Sequence, residues 1–554
     1  MDHRARELFG GEASTFPLRR WAPVAVAFVA LVVGVVASAS SVFGHGGPSE
    51  DGSDPLRNTP LPCEVVNTPG LTARSANGIE HVANVCGFVG TDIEFQSRMA
   101  NDGVHDYAFV GTMGAGMRIY DITDPTTPTF AGGYADPGWE NDIQVEGHLA
   151  VATFDGLVGE DSSASTCLKE RYPDAMGQGV DVYDLEYDAA TALFNVVLLT
   201  CVANPPGGAH NVTLNPRSQW MAISNCCSDW AMDVIDLRRI ENNSSRTSGT
   251  APDAKHIYRL IDASQRDSST CPAGATYRCV VIKKPNGTNA TGLWQPHDVH
   301  FSRNGKTAYV AAINSTFIID VSRVFEGVVK TIAIIPNISE PGGFASRHNI
   351  DISHQADVTA DGKILVISDE RGGGLTDQNC NVEAGDELVG GLHFWALAEI
   401  NGVAASRGAS PSNPKKLGVY VNPNPNDLGA DPLQPALDLL PRFTSGCTVH
   451  VFRIGRNGTA SPDAAEIEFG GVSSLSQRQL TTAWYGAGVW WIDFSGRPDR
   501  KAGDTIREST ETTWGNTLGW NVMPGASTWA AKEYKGYIFA SDITRGFDVY
   551  RFAD

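Results

Sequence analysis

The sequence predicts an all-β fold, a seven-bladed β-propeller whose blades are four-stranded antiparallel sheets. Three observations support this prediction. A strand-like run that usually ends in aspartate recurs seven times. Each copy follows another short apolar run, in several cases after a tight-turn dipeptide. The last copy ends three residues before the C-terminus, whereas a spare apolar strand precedes the first copy.

The repeated strand is clearest at residues 116–122 and 179–185, which read GMRIYDI and GVDVYDL. The aspartate, or the residue in its place, serves as the anchor at positions 121, 184, 236, 320, 396, 493 and 551. A four-stranded blade needs ~40–50 residues, and inserted loops lengthen it. The spacing therefore fits one copy per blade, with long insertions before the fourth, fifth and sixth copies.

The remaining strands of each blade follow from the flanking patterns. An apolar strand precedes each copy, as at residues 107–111 and 364–367. Asn304-Gly305 and Asp361-Gly362 lie where hairpins are needed, because residues that tolerate positive φ form tight turns at little cost. An inner strand precedes each turn and an outer strand follows the anchor. Four strands therefore repeat as an antiparallel meander.

The two ends of the repeat region predict how the ring closes. The seventh copy leaves no residues for its own outer strand, and residues 81–88 form a spare strand. We expect this N-terminal strand to complete the last blade, because pairing removes two exposed sheet edges. The predicted domains are a targeting segment over 1–44, a linker over 45–78 and the propeller over 79–554.

The first 44 residues have the pattern of a signal peptide or an N-terminal signal anchor. Arginines precede an apolar run over residues 21–36, and a small-x-small cleavage site follows at residues 37–39. The run is shorter than the ~20 residues of a transmembrane helix, which favours cleavage. Either outcome places the body outside the cytoplasm, secreted or tethered to the membrane by this segment.

Ten cysteines agree with an oxidising compartment. Cys271 and Cys279 bracket a short loop and predict a local disulfide. Cys380 and Cys447 flank a long insertion and are a second candidate pair. The adjacent cysteines at 226–227 are expected to pair elsewhere, the candidates being Cys63, Cys86, Cys167 and Cys201. No Cys-x-x-Cys motif supports a zinc–thiolate site.

The formal net charge of −21 bears on the choice of partners. An acidic surface repels phosphate backbones, which argues against nucleic acid. We expect a monomer that binds a protein, a glycan or a small-molecule ligand at one propeller face. The only expected membrane contact is the N-terminal segment, if it is not cleaved.

Residues 116–128, GMRIYDITDPTTP, resemble the repeat of the LVIVD-repeat β-propeller proteins. The ending at residues 541–551, SDITRGFDVYR, is similar. The resemblance covers roughly residues 80–554, although two copies lack the aspartate. It implies a bacterial, extracytoplasmic propeller. It implies little about chemistry, since this family is defined largely by its repeat.

Alignment of the inner strands on their turns places three histidines at one register. His297 and His354 each lie eight residues before the glycine of the following turn, and His210 has the matching place in the third blade. The same alignment puts Cys447 at this position in the sixth blade. His450, three residues later, is then expected to point to the other face of its strand.

Inner strands of a propeller begin at the axial channel, so these three histidines are expected to meet at one rim. Three imidazoles can bind zinc or copper. The carboxylates that could orient a ligand are Asp142, Asp298, Asp369 and Glu370. In the alternative, each histidine only hydrogen-bonds the backbone of the next blade. Calcium at residues 422–427 and Asp431 has less support, because EF-hand spacing is absent.

Two functions are compatible with these observations. The first is a non-catalytic propeller that binds a ligand or acts as a scaffold. The second is a metal-dependent enzyme of oxidase or lyase type with its site at the histidines. The sequence contains no serine-hydrolase, P-loop or His-Glu-x-x-His motif, so it predicts no catalytic residue. The charged run at 368–374 is expected to be a solvated connection between strands; in the alternative, it borders a substrate pocket.

Overall fold

The computed structural model describes residues 60–136, 140–154, 165–171, 179–203, 209–216, 219–225, 231–241, 255–265, 271, 275, 277–374, 389–422, 431–437, 446–456, 473–496 and 514–553. The predicted targeting segment, the first part of the predicted linker, Cys226, Cys227 and Cys380 lie outside these residues. Within them, thirty strands form seven sheets, which confirms the predicted seven-bladed propeller.

Within the first three blades, the strands run in chain order from the axis outward. Blade 1 contains β3 (Val89–Ala100), β4 (Gly103–Met113), β5 (Met117–Asp121) and β6 (Thr129–Tyr134). Blade 2 contains β7 (Glu140–Glu146), β8 (Leu149–Phe154), β9 (Gly179–Asp188) and β10 (Leu193–Ala203). Blade 3 contains β11 (Asn211–Leu214), β12 (Trp220–Asn225), β13 (Ala231–Asp236) and β14 (Lys255–Ile261), with β15 (Arg278–Val281) added in parallel.

The other four blades follow the same order. Blade 4 contains β16 (Asp298–Phe301), β17 (Thr307–Ala312), β18 (Ser315–Arg323) and β19 (Val328–Pro336). Blade 5 contains β20 (Ser353–Val358), β21 (Ile364–Asp369), β22 (Leu392–Ala396) and β23 (Lys415–Tyr420). Blade 6 contains β24 (Phe452–Ile454), β25 (Gln479–Ala483), β26 (Val489–Asp493) and β27 (Asn516–Val522). Blade 7 contains β28 (Thr528–Tyr534), β29 (Tyr537–Asp542) and β30 (Gly546–Phe552).

Two N-terminal strands join blades made from the C-terminal part of the chain. β2 (Ile79–Val85) pairs antiparallel with β30 and supplies the outer strand of blade 7, which confirms the predicted closure. β1 (Ser75–Asn77) pairs with β27 at the outer edge of blade 6. The end of the predicted linker is therefore folded against the propeller, because its backbone hydrogen-bonds a sheet edge.

The core is divided among the interfaces between blades. Buried apolar residues form one cluster at each of the seven interfaces between neighbouring blades. β8 shows how one strand serves two interfaces: Leu149 and Val151 pack toward blade 3, whereas Ala150 and Ala152 pack toward blade 1. Successive side chains of a strand point to opposite faces, so a strand covered on both faces is apolar throughout.

A buried ion cluster supports the closing blade. The guanidinium of Arg545 donates two hydrogen bonds of 2.9 Å to the carboxylate of Asp548. His81 of β2 lies 2.7 Å from the same carboxylate, measured from Nε2 to Oδ1. Burial opposes ionisation of Asp548, but Arg545 and His81 hold its pKa well below the usual range. The N-terminal strand is thus attached by a side-chain hydrogen bond to this cluster as well as by its backbone ladder.

Three disulfides join described residues. Cys63 bonds Cys86, Cys167 bonds Cys201, and Cys271 bonds Cys279 as the short loop suggested. The expectation that the cysteines at 226–227 pair with one of the first four is therefore wrong, because those four bond one another. Cys447 is also in a disulfide.

Helices are few and short among the described residues. They are α1 (Cys63–Val66), α2 (Thr166–Arg171), α3 (Arg238–Glu241) and α4 (Gln434–Leu437). None of the helices in this described part of the chain is long and apolar enough to cross a membrane.

Candidate metal centre

Four histidines from four adjacent blades lie together at the propeller axis. They are His210 of blade 3, His297 of blade 4, His354 of blade 5 and His450 of blade 6, and each is at most 2% exposed. All four occupy the start of an inner strand. The predicted trio is therefore brought together, but it is buried within the ring and not displayed at an exposed rim.

The rings of this four-histidine cluster form a continuous series. Nε2 of His210 lies 2.9 Å from Nε2 of His297. The ring centroids of His297 and His354 are 4.4 Å apart, and those of His354 and His450 are 4.2 Å apart. For metal–nitrogen bonds of ~2.0–2.1 Å, neighbouring ligand nitrogens lie about 2.9–3.4 Å from each other. The spacing between the first two rings is thus already that of two ligands of one ion.

Hydrogen bonds to backbone oxygens orient two of the rings. Nδ1 of His297 donates to the carbonyl oxygen of His354 at 3.1 Å. Nδ1 of His450 donates to the carbonyl oxygen of Trp529 in blade 7 at 2.6 Å. With the proton held at Nδ1, the lone pair of each neutral ring is on Nε2, the usual arrangement of a metal-binding histidine. The sequence left open the alternative that each histidine only hydrogen-bonds the backbone of the next blade. In these two rings that hydrogen bond is present, and it also fixes the form of the ring that a metal would bind.

Glu370 adds a carboxylate to the cluster. It directly follows β21, is 1% exposed, and its oxygens lie 3.8 Å from Nε2 of His354 and 3.6 Å from Nε2 of His450. One nitrogen each from His297 and His354 and one oxygen from Glu370 all lie within 4.8 Å of one another. Of the four carboxylates considered from the sequence, Glu370 is the one with these contacts, on the Nε2 side of the rings.

Tyr485 anchors Glu370 from the neighbouring blade. Its hydroxyl donates a hydrogen bond of 2.5 Å to Oε1 of Glu370. Burial, with the adjacent carboxylate, raises the pKa of Tyr485 well above its ordinary value, so the phenol keeps its proton. Glu370 and Tyr485 occupy equivalent positions in blades 5 and 6. Each lies two residues after the second-strand residue that is opposite the histidine of its own blade.

The sequence alignment was wrong in blade 6, where it assigned the axial position to Cys447. The backbone N–H of His450 donates to the carbonyl oxygen of Ala483, just as the N–H of His297 donates to that of Ala311. His450 therefore occupies the equivalent position. The misassignment came from matching the sequence CTVH at 447–450 with HDVH at 297–300, which shifts the inner strand of blade 6 by three residues.

Asp142 and Asp298 lie near the cluster but have other partners. Asp142 accepts a hydrogen bond from the backbone N–H of Val212 at 2.8 Å. Asp298 lies 3.1 Å from Nε2 of His300. Burial lowers the pKa of His300, but the negative charge of Asp298 outweighs this effect and the pKa is raised to about 9. His300 is therefore a cation at neutral pH, and Asp298 is its counter-ion.

A second polar group lies on the blade 1 and blade 7 side of the axis. Lys532 donates hydrogen bonds to Asp92 at 3.0 Å and to Glu94 at 2.9 Å. Burial raises the pKa of Asp142 well above its usual range, and the neighbouring Asp92 and Asp298 add to this shift. Burial of Asp142 beside Asp92 and Asp298 therefore disfavours its charged form. The axial residues change from histidine in blades 3–6 to acid in blades 1 and 2.

Residues 104–136 match the LVIVD repeat.

This match confirms the resemblance seen at residues 116–128. The LVIVD repeat lies in blade 1, which contributes no histidine to the cluster, so it bears on the fold and not on the chemistry. No curated protein matches the sequence significantly. Among solved structures, the chain is similar to the β-propeller domain of Cps50 (Swd1) from Myceliophteria thermophila, with 9% identity and a TM-score of 0.44 over 86% of this chain and 100% of that one.

Of two other stretches considered from the sequence, one differs from expectation and one lies mostly outside the described residues. Residues 368–374 were expected to be a solvated connection, but Ser368, Asp369 and Glu370 are at most 1% exposed. Asp369 accepts hydrogen bonds from the backbone N–H groups of Asp351 and Ile352, both at 2.9 Å. Asp431, considered for calcium, accepts the N–H of Gly525 at 2.9 Å, and residues 423–430 lie outside the described part of the chain.

Proposed function

We propose that the four-histidine cluster and Glu370 bind one transition-metal ion and that the protein is a metal-dependent enzyme. The observation that carries this proposal is the convergence of four buried imidazoles from four successive blades. A single axial histidine has an ordinary structural explanation. Four in mutual contact concentrate basic nitrogen donors, and burial of such polar groups is favourable only when they are well satisfied.

The donor set favours copper. Imidazole nitrogen suits zinc, copper, iron and nickel, and among divalent ions Cu²⁺ binds a given nitrogen site most tightly. Nitrogen and oxygen donors are the ligands of tetragonal Cu²⁺ sites, whereas structural Zn²⁺ sites are tetrahedral and four-coordinate. A bound copper ion would supply one-electron redox chemistry. The residues of this chain would hold the ion, exclude bulk water and fix the carboxylate.

Metal content tests the proposal. Full-length protein without a histidine tag is loaded with Cu²⁺, dialysed and analysed for metal by mass spectrometry. We expect about one copper per chain in the wild type and less than a tenth of that in His297→Ala and His354→Ala. His148→Ala is the matched control, because His148 lies 3.0 Å from Asp184 at the far end of blade 2. Lack of stoichiometric copper and zinc in the wild type would refute the proposal.

We also propose a location outside the cytoplasm. Disulfides persist in oxidising compartments, and three are present in the described residues. Alkylation of protein released from cells without reductant tests this location: no cysteine should react. The non-catalytic binding role stays a prediction, since it is supported by the fold alone and folds of this kind serve many functions.

A further inference from the structure

A narrow cavity leads away from the four-histidine cluster along the axis. It has a volume of ≈ 30 Å³, and His210, His354 and His450 form part of its wall. Asp142, Gln144 and His300 line it further along the inner strands. By the same measure of volume, a cavity of ~10–15 Å³ holds one water molecule. The cavity therefore admits a molecule of that size next to three of the four rings.

A wide cavity, which we call the funnel, lies next to the narrow one. The funnel has a volume of ≈ 730 Å³, in the range of small-molecule sites, and lies where the inner strands of blades 2–6 end. Gln144 and His300 line both cavities, and we call the stretch of wall that they share the neck. The funnel wall includes Arg456 and Asp361.

The neck is held by hydrogen bonds on several sides. Nε2 of Gln144 donates to Oε1 of Glu94 at 3.2 Å. Gln355 accepts from the backbone N–H of Phe452 at 2.9 Å and donates to its carbonyl oxygen at 3.1 Å. These bonds join side chains of one blade to the next, so widening the neck would break them. Its wall is made of carboxyl, amide and imidazole groups.

We propose that the metal site binds a small polar inorganic molecule, no larger than hydrogen peroxide, which reaches it from the funnel through this neck. The inference rests on the proposed metal site. Larger organic molecules would fill the funnel but stop at Gln144 and His300. The polar wall favours solutes that hydrogen-bond as water does, and the buried position of the cluster keeps bulk solvent from the ion.

Binding of two probes to the copper-loaded protein tests this route. Azide is slender, imidazole is bulky, and both change the visible spectrum of copper. In stopped-flow mixing, we expect wild type to bind azide and to bind imidazole at least 100-fold more slowly. Gln144→Phe should slow azide binding at least tenfold. Gln144→Ala should speed imidazole binding, and it serves if the larger side chain prevents folding.

The control introduces a phenylalanine side chain at another position in the wall of the funnel. Ala360 lines the funnel but not the neck, so Ala360→Phe should leave the rate of azide binding within about twofold of wild type. Copper content of every variant is measured first. No copper in wild type refutes the metal site itself. Normal copper content with unchanged azide rates in Gln144→Phe and Gln144→Ala refutes only the route.

Discussion

Two buried polar clusters of this propeller differ in how their groups are combined. In the closing blade, Arg545 and Asp548 form a buried ion pair at 2.9 Å, and His81 lies 2.7 Å from the same carboxylate. At the axis, among the described residues, four imidazoles contact one another in series and two of them lie near the carboxylate of Glu370. In the closing cluster, the buried carboxylate of Asp548 has the guanidinium of Arg545 beside it. The axial cluster instead brings together four side chains of the same kind.

This difference indicates that the two clusters were selected for different reasons. A buried ion pair with good geometry holds a strand in place, and breaking it is costly because a buried charge is left uncompensated. Four clustered imidazole rings contribute little to the free energy of folding by themselves, because each ring must be desolvated. Local departures from what stability favours are expected at functional sites. The closing cluster supports the ring, and the axial cluster is the site at which we propose that a cation binds.

The largest effect is expected from Arg545→Met. The substitution leaves Asp548 buried without its guanidinium partner, and the free energy of unfolding should fall by about 3–5 kcal/mol. The matched control is Arg551→Met on the same strand, where Arg551 and Glu80 are both half-exposed. An exposed pair contributes about 0–1 kcal/mol. Urea unfolding measures both, and equal losses would contradict the assigned role of the closing cluster.

Acid should weaken the closing cluster. The pKa of Asp548 is lowered by Arg545 and His81 against the effect of burial, and Asp542 and Tyr550 also face these groups. A lowered pKa contributes stability that is complete above the unfolded value of about 3.9 and is lost as pH falls below it. Urea unfolding from pH 7 to pH 3 should show this loss in wild type. A parallel pH profile in Asp548→Asn, displaced only by a constant, would contradict the prediction.

A smaller effect is expected when the carboxylate of the axial cluster is neutralised. Glu370→Gln keeps the shape of the side chain but removes its charge, and copper affinity should fall about 10–100-fold, the range found for groups that support metal ligands. Glu399→Gln at an exposed position is the control. Competition with a chromogenic chelator measures the affinities. Equal affinities in the two variants would show that Glu370 does not contribute.

The smallest effect is expected from Tyr485→Phe. It removes the hydrogen bond to Glu370 and leaves the ring against His450, whose centroid is 4.8 Å away. A hydrogen bond to a charged group contributes about 1.5–3 kcal/mol, of which the metal site would lose only a part, so copper affinity should fall by less than about tenfold. An effect as large as that of Glu370→Gln would mean that Tyr485 itself binds the ion.

Much of the fold could be predicted because a propeller repeats its local signals. The anchored strand, the Asn-Gly and Asp-Gly turns and the spare strand at 81–88 are all local patterns. Counting these local patterns against the number of blades also predicted that the N-terminal strand closes the ring. The extra strand β1 was missed because a three-residue strand has no detectable alternation, and its place depends on the edge that β27 offers.

The axial site could be predicted only in part. His210, His297 and His354 were found because hairpin turns set their register. His450 was missed because CTVH at 447–450 was matched with HDVH at 297–300, although the pairing of His450 with Ala483 repeats that of His297 with Ala311. The contacts of Glu370 with His450 and Tyr485 arise from packing between blades. Glu370 and Tyr485 are 115 positions apart, and one sequence holds no signal for a contact at that separation.

The most direct test of the metal site is its position in a crystal. Copper-loaded protein is crystallised, and anomalous scattering is measured on both sides of the copper absorption edge. We expect one strong peak among the Nε2 atoms of His210, His297, His354 and His450, about 2.0–2.1 Å from at least three of them, by analogy with metal–imidazole bonds. No peak at the axis, or a peak bound only by residues outside this cluster, would contradict the proposed metal site.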